Sequence, residues 1–322
     1  MSSAAAGTQA TPGIRPWRKF TGHTNWVTDV IHLPGEQQIM TSSFDGSLRV
    51  WNLQSGKQIG NDWGDEGSTI ALSPDGQKVV SGGPNGDLKL WDTNTSKVIA
   101  EWTEHTIYVN SVCWSQDGGR VMSGSDDGTA RVWDMESGKT VLAIETGLSK
   151  VQAVVYSPDM TMIATGGYSE DLKEVIKIWD AKTGKLITNL KGHTDTVYCL
   201  AWTADGSTLI SGSNDYSIRT WNTTAWQQIH VLTGHTSVVS GISISPNGPI
   251  LASASWDNTA RLWSLENGLP IGSPFQHTDS VECVSFSTNG KLLATGCWDR
   301  NAYSWDISGI LDKAGLLNQN VS

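Results

Sequence analysis

The chain is poor in the residues that most site chemistries need. It has four cysteines in 322 residues, Cys113, Cys199, Cys283 and Cys297, and no two stand in a C-x-x-C spacing. That excludes a zinc site or a dithiol motif built on cysteine pairs and fits a reducing compartment. The seven histidines form no H-E-x-x-H, and neither a P-loop nor a G-x-S-x-G element is present. Charge is sparse, at 17% of residues, and it leans one way, with 32 acidic against 22 basic groups and a net charge of -10. A nucleic-acid backbone is repelled on average by such a field, and the longest basic cluster, Arg15, Arg18 and Lys19, is too small to override it. No run of about 18 apolar residues exists, and residues 1–16 lack the apolar stretch of a secretory leader. The expectation is a protein of the cytoplasm, with the nucleus as a second compartment, that touches neither membrane nor nucleic acid and needs no cofactor. The sequons at Asn94 and Asn222 carry no meaning without a secretory route.

What the chain has in excess is glycine and tryptophan, 34 and 16 residues. Many tight turns and many large rings to bury point to short strands. A Trp followed by Asp, Asn or Ser recurs at Trp51, Trp91, Trp133, Trp179, Trp221, Trp263 and Trp305, spaced by 40, 42, 46, 42, 42 and 42 residues. Twenty-eight residues before the Trp stands a His in five repeats: His23, His105, His193, His235 and His277. Between the two lies a turn such as Ser73-Pro74-Asp75-Gly76 or Thr203-Ala204-Asp205-Gly206, where Pro fixes φ and Gly permits a positive one. Four β-rich runs fill the repeat, in the fifth case residues 197–202, 209–213, 217–222 and 228–232. One four-stranded unit cannot bury both faces of its sheet, whereas seven stacked around an axis can.

The Gly-His pairs Gly22-His23, Gly192-His193 and Gly234-His235, the Asp-Gly turns and the Trp-Asp pairs resemble those of the WD-repeat family over residues 15–308. The predicted fold is all-β, a seven-bladed β-propeller with four antiparallel strands per blade. Nothing after Trp305-Asp306 reads as an outer strand, while residues 15–21 do. The N-terminal segment is therefore expected to complete blade 7 and remove an exposed sheet edge. Residues 1–14 read as a disordered tail. Residues 309–322 read as a short tail in which Ile310, Leu311, Leu316 and Leu317 could pack as a helical turn.

Ser, His and Asp recur together, which invites a catalytic reading. The sets are His23, Thr41, Asp45 and Trp51; His105, Ser123, Asp127 and Trp133; His193, Ser211, Asp215 and Trp221; His235, Ser253, Asp257 and Trp263; and His277, Thr295, Asp299 and Trp305. A nucleophilic triad is built once beside a pocket, so five copies, each with a Trp, argue for structure. The resemblance implies a buried chain in which Asp orients His, His reaches the hydroxyl, and the hydroxyl meets the indole N–H. Only His32 and His230 remain outside the sets, and neither has an evident catalytic partner. Blade 2 has Trp63 and Asn85 where His and Asp belong; blade 4 has Gly147 for His and extra residues around Tyr168–Val175, read as a longer loop between its second and third strands. Both are expected to lean on apolar packing and to be locally softer.

The resemblance also implies an interaction rim at three positions per blade: three and five residues after the His, and one before the Asp. Those positions hold Trp26, Thr28 and Phe44 in blade 1, Tyr108 in blade 3, Tyr198 and Asn214 in blade 5, Trp256 in blade 6, and Glu282 and Trp298 in blade 7. Trp26, Phe44, Trp256 and Trp298 fall on adjoining blades, and clustered exposed rings are the usual anchors of protein interfaces. The same rings could instead fold over turns and fill gaps between loops. The implied function is a monomeric, non-enzymatic scaffold binding other proteins or peptides on this face. A small-ligand or modified-peptide sensor, such as a chromatin reader with an aromatic cage, stays open. An enzyme working through the central channel would need convergent ionisable groups on the inner strands, and residues 197–202 and 281–286 offer almost none.

Overall fold

The computed structural model describes residues 14–64, 67–172, 174–246 and 248–316. Among these, 28 strands form seven four-stranded antiparallel sheets arranged as the blades of a propeller. Blade 1 takes Val27–His32, Gln38–Ser43, Ser47–Asn52 and Gln58–Gly64 from inside to outside, and the other blades repeat that order. The fifth blade is built from Val197–Trp202, Thr208–Ser213, Ile218–Asn222 and Gln227–Leu232. Blade 7 departs only in the origin of its outer strand: Arg18–Thr21 pairs with Asn301–Asp306, with Arg18 opposite Ser304 and Thr21 opposite Asn301. The two chain ends are thus clasped in one sheet.

Burial follows position in the blade. Second strands such as Ile250–Ser255 are buried at every residue, because they lie between neighbouring blades. Outer strands such as Lys97–Thr103 are mostly exposed. The blade Trps close the gaps between sheets: Trp133 packs with Val80, Leu88, Val109 and Val121, side chains of two adjoining blades. In blade 1, Trp51 packs with Phe20 of the N-terminal strand and Cys283, Ala294 and Ala302 of blade 7.

The residue after each Trp starts the next turn. Asp92, Asp134 and Asp180 accept hydrogen bonds from the N–H groups of Thr95, Ser137 and Thr183 at 2.8, 2.8 and 2.7 Å. Asn52 and Asn222 do the same for Ser55 and Ala225, at 2.7 and 2.8 Å. An amide or carboxylate oxygen at that point mimics a backbone acceptor, which is why Asp and Asn alternate there freely. In the Ser73 turn, the Ser73 hydroxyl donates to Asp75 at 2.5 Å and Gly76 adopts φ 71°, with the Pro34 ring where a side chain would stand.

The extra residues of blade 4 lie between Met162–Tyr168 and Ile176–Asp180, its second and third strands. Glu174 in that loop accepts a bond from Asn189 on the outer strand at 2.7 Å. At the C-terminus a short helix, Ser308–Lys313, seats Leu311 in the core beside Trp305 and Ile307, with Ile14, Ile310 and Leu316 against it. The expected N-terminal tail before Ile14, and Leu317, lie outside the described residues. No helix among the described residues is long and apolar enough to cross a membrane.

Candidate functional site

The recurring polar sets lie between the loops and the blade cores. In blade 5 the Trp221 indole donates to the Ser211 hydroxyl at 2.9 Å, that hydroxyl meets His193 Nε2 at 2.8 Å, and His193 Nδ1 lies 2.7 Å from Asp215. The corresponding distances are 2.8, 2.7 and 2.9 Å in blade 1. Blade 3 repeats them at 2.8, 2.7 and 2.9 Å, and blade 6 at 2.8, 2.7 and 2.8 Å. The order of donation, indole N–H to hydroxyl, hydroxyl to Nε2 and Nδ1–H to carboxylate, fits a neutral imidazole. Burial lowers the pKa values of His23, His105 and His193 against the pull of the neighbouring Asp. For Asp127 burial opposes ionisation, but bonds from the Thr129 hydroxyl and N–H and from His105 outweigh it and hold the carboxyl at about 2. The histidines of these four blades are buried, so none of these sets presents its imidazole to solvent.

Blade 7 corrects the expected set. His277 meets Thr295 at 2.8 Å and Trp305 reaches the same hydroxyl at 3.0 Å, but Asp299 does not join them. His277 Nδ1 turns to the Phe275 carbonyl at 3.1 Å, and Asp299 accepts bonds from Thr278 and Tyr303. The cause lies two and four residues before the Trp. The four complete blades carry Arg49, Arg131, Arg219 or Arg261 and a hydroxyl, Ser47, Thr129, Ser217 or Thr259, that braces the Asp under the His; blade 7 has Tyr303 and Asn301. The phenol draws the carboxylate away.

Blades 2 and 4 keep only the last link, Trp91 to Ser81 at 2.9 Å and Trp179 to Thr165 at 3.0 Å. Where blade 2 lacks the His, the Trp63 ring packs on Trp91 with centroids 5.7 Å apart. In blade 4, Thr146 donates to the Gly128 carbonyl at 2.6 Å and Leu148 fills the core.

The mouth of the central channel is a cavity of about 580 Å³. Of the nine rim residues named from the sequence, all but Asn214 line it; Asn214 is turned aside to Asp195, at 2.8 Å. The rings form a continuous row: Tyr198 against Trp256, Trp256 against Trp298, Trp298 against Trp26, Trp26 against Phe44, and Phe44 against Tyr108. Trp26 and Trp298 stack face to face, with centroids 4.0 Å apart and planes 2° from parallel. Phe44 reaches Tyr108 across blade 2, whose described residues at the mouth are Ser68, Thr69 and Ile70. Trp26 is 39% and Phe44 46% exposed, whereas Trp256 and Trp298 are partly buried. Of these four rings, two therefore stand open and two are pinned.

Glu282 does the pinning. Its Oε2 accepts the Trp256 indole N–H at 2.9 Å and the Trp298 indole N–H at 2.7 Å. Burial raises its pKa, and these two bonds pull the other way. A second acid, Asp29, also lines the cavity and accepts the N–H groups of Val30 and Ile70 at 2.8 and 2.9 Å. Burial pushes its carboxyl up to about 7. Glu282 is one of the rim positions legible in the sequence, whereas Asp29, on an inner strand expected to be nearly free of ionisable groups, is not. The reason is a bulge. In six blades the register of the inner strand slips, between Val27 and Asp29, Val109 and Ser111, Val151 and Ala153, Val197 and Cys199, Val239 and Gly241, and Val281 and Cys283. A bulge breaks the two-residue alternation, so consecutive residues such as Thr28 and Asp29, or Glu282 and Cys283, line the same cavity. The available signal was that Asp29 stands alone at its repeat position, where the other blades have Thr69, Ser111, Ala153, Cys199, Gly241 and Cys283.

The family model described as WD domain, G-beta repeat, matches residues 14–52, 67–92, 96–134, 184–222, 226–264 and 268–306. The chain belongs to the WD-repeat family. The matches pass over the fourth blade, where Gly147 replaces the His and the loop is longer. Over 218 residues the chain is 28% identical to small ribosomal subunit protein RACK1 of Drosophila melanogaster, covering 62% of this chain and 54% of that protein. Against MST50-interacting protein 11 of Pyricularia oryzae the figures are 32% over 206 residues, 62% and 52%. Autophagy-related protein 16 of Arabidopsis thaliana is 27% identical over 202 residues, covering 61% of this chain and 39% of that protein. The matches thus span about half or less of each relative's length.

Proposed function

We propose that this WD-repeat protein is a non-enzymatic scaffold of the cytoplasm or nucleus that holds a partner protein on the aromatic face at the channel mouth. The observation that carries the reading is the row of six rings from Tyr198 to Tyr108, with Trp26 and Phe44 open to solvent. Large rings that are prepositioned by stacking lose little conformational freedom on binding, which makes them efficient anchors. The names of the similar proteins point to a ribosomal subunit, a partner called MST50 and autophagy. Such a spread supports a common ring with exchangeable partners.

The test is affinity capture from native lysate with wild-type, Trp26→Ala and Trp298→Ala baits, read by quantitative mass spectrometry. Each substitution is expected to keep the melting temperature close to that of the wild type and to weaken capture of the specific partners about 30-fold or more, the usual scale for a hot-spot ring. A control on the outer strand of blade 4, Leu186–Leu190, replaces the exposed Ile187 by Ala and should retain them. If the two Trp variants capture the same set as the wild type, the face is not the binding surface.

A further inference from the structure

Four blades carry an arginine two residues before the repeat Trp, and three of those guanidinium groups are paired within the chain. Arg49 lies 3.0 Å from Asp62 on the outer strand of blade 1 and donates to Gln58 at 3.4 Å. Arg131 lies 2.9 Å from Glu104, the residue before His105. Arg219 donates to Gln228 on the outer strand of blade 5. Arg261 of blade 6 has no hydrogen bond or ion pair among the described residues, and its Nε is buried without a partner. The register explains the difference. Blades 1 and 6 share a bulged outer strand: Trp51 stands opposite Gln58 and Leu48 opposite Trp63, as Trp263 stands opposite Pro270 and Ala260 opposite Phe275. Each bulge holds a glycine of positive φ, Gly60 at 69° and Gly272 at 70°. Pro270 thus takes the place of Gln58, Pro274 that of Asp62, and Gly234 that of Glu104. None of the three side chains can accept a hydrogen bond. Asp257, four residues before Arg261, is bound to His235, Thr236 and Thr259.

We infer that Arg261 is an anchor on the outer side of blade 6 for a carboxylate, supplied by an aspartate or glutamate side chain of a partner protein. Blade 1 is the template, because Asp62 marks where an anion meets this guanidinium and blade 6 leaves that place to an outside group. The guanidinium lies beside Gly234, where a side chain would stand 3.2 Å from Nη1, so that residue leaves it uncovered. A partly buried arginine without a counter-ion has lost hydration with nothing in exchange. A carboxylate offers it two charge-assisted bonds in one plane. One guanidinium matches the single charge of a carboxylate, whereas a phosphate dianion would leave excess negative charge beside a chain of net charge -10. Arg261 is not among the residues lining the channel mouth, so this contact stands or falls independently of the aromatic face.

Small probes test this without a known partner. Propionate, its neutral counterpart propionamide, and inorganic phosphate are titrated into the whole protein at constant ionic strength. The Arg261 Nε–H signal, identified by its loss in Arg261→Gln, and the Gly234 backbone N–H are followed by NMR. Propionate is expected to shift both signals saturably and to bind roughly tenfold more tightly than propionamide. Arg261→Gln breaks no pair within the chain, so its melting temperature should hold while propionate, read at Gly234, loses roughly tenfold in affinity. Pro274→Asp is the second variant and sets a carboxylate where blade 1 has Asp62. It should move the Arg261 signal with no probe present and weaken propionate about tenfold, because the place is then filled from within. Equal binding of propionamide, no saturable shift with propionate, or saturation by phosphate alone overturns the inference. So does an affinity for propionate that stays at the wild-type value in Arg261→Gln or in Pro274→Asp.

Discussion

A chain lacking residues 1–22 is expected to lose most of its stability and to associate, although none of the seven repeat Trps has been touched. The segment Arg18–Thr21 is the outer strand of blade 7, and Trp17 adds a backbone bond to Ser304 at 2.7 Å. Phe20, 1% exposed, is buried against Trp51, with centroids 6.0 Å apart, at the seam where the last blade meets the first. Truncating a buried Phe costs about 3–5 kcal/mol, a large part of the roughly 5–15 kcal/mol that holds a typical domain folded. Full deletion adds the lost strand bonds and bares the edge of Asn301–Asp306 to other chains. Phe20→Ala alone should lower the melting temperature by about 6–15 °C. The truncated chain should elute as oligomers, and a synthetic peptide of residues 14–25 added in trans should raise its melting point. A truncated protein that melts like the full chain would show that the ring closes without its clasp.

That clasp was legible in the sequence because it needed only two facts, a missing strand after Trp305 and a strand-like run before His23. The strands of blade 5 were legible to within one residue at their ends, because turn residues and β-branched runs mark them locally. What escaped depends on pairs of residues acting across the fold. Tyr303 and Asn301 are each ordinary strand residues, and only together, beside Thr278, do they take Asp299 from His277. The aromatic row could be placed on blades 6, 7 and 1 from repeat positions. Its extension to Tyr108 depended on how far the Phe44 ring reaches, and its extension to Tyr198 on the orientation of Trp256. Asp29 escaped because a bulge between Val27 and Asp29 breaks the two-residue alternation by which a sequence shows which side chains share a face.

The polar sets should make the protein labile to acid, in a window that their chemistry defines. A base whose pKa is lowered by folding takes up its proton more readily when unfolded, so its contribution is complete above the unfolded value and drains away as pH falls below it. Burial holds His277 neutral down to about pH 4, against an ordinary value of 6.5, and His32 behaves alike. Each such difference corresponds to roughly 3 kcal/mol, lost between about pH 6.5 and 4. The depressed aspartates act at lower pH. Their contribution is present above the unfolded value near 3.8 and is lost as Asp127 is protonated towards about 2. Protonation of an imidazole also reverses the donation order, because Nε2 becomes a donor facing a hydroxyl that already accepts an indole N–H. Urea midpoints measured from pH 8 to pH 4 should therefore fall steeply below about pH 6.5, and His277→Gln should flatten part of that slope.

At neutral pH the same architecture predicts which single atom matters most in a set. Ser211→Ala deletes the one oxygen that Trp221 and His193 share, leaving two buried polar groups unpaired, each costing about 1–3 kcal/mol. The expected loss is about 2–5 kcal/mol, read from urea unfolding. Ser211→Thr should restore most of it, because blades 1 and 7 already use Thr41 and Thr295 at that point. A Ser211→Ala protein with wild-type stability would mean that the shared hydroxyl is not a support for the blade.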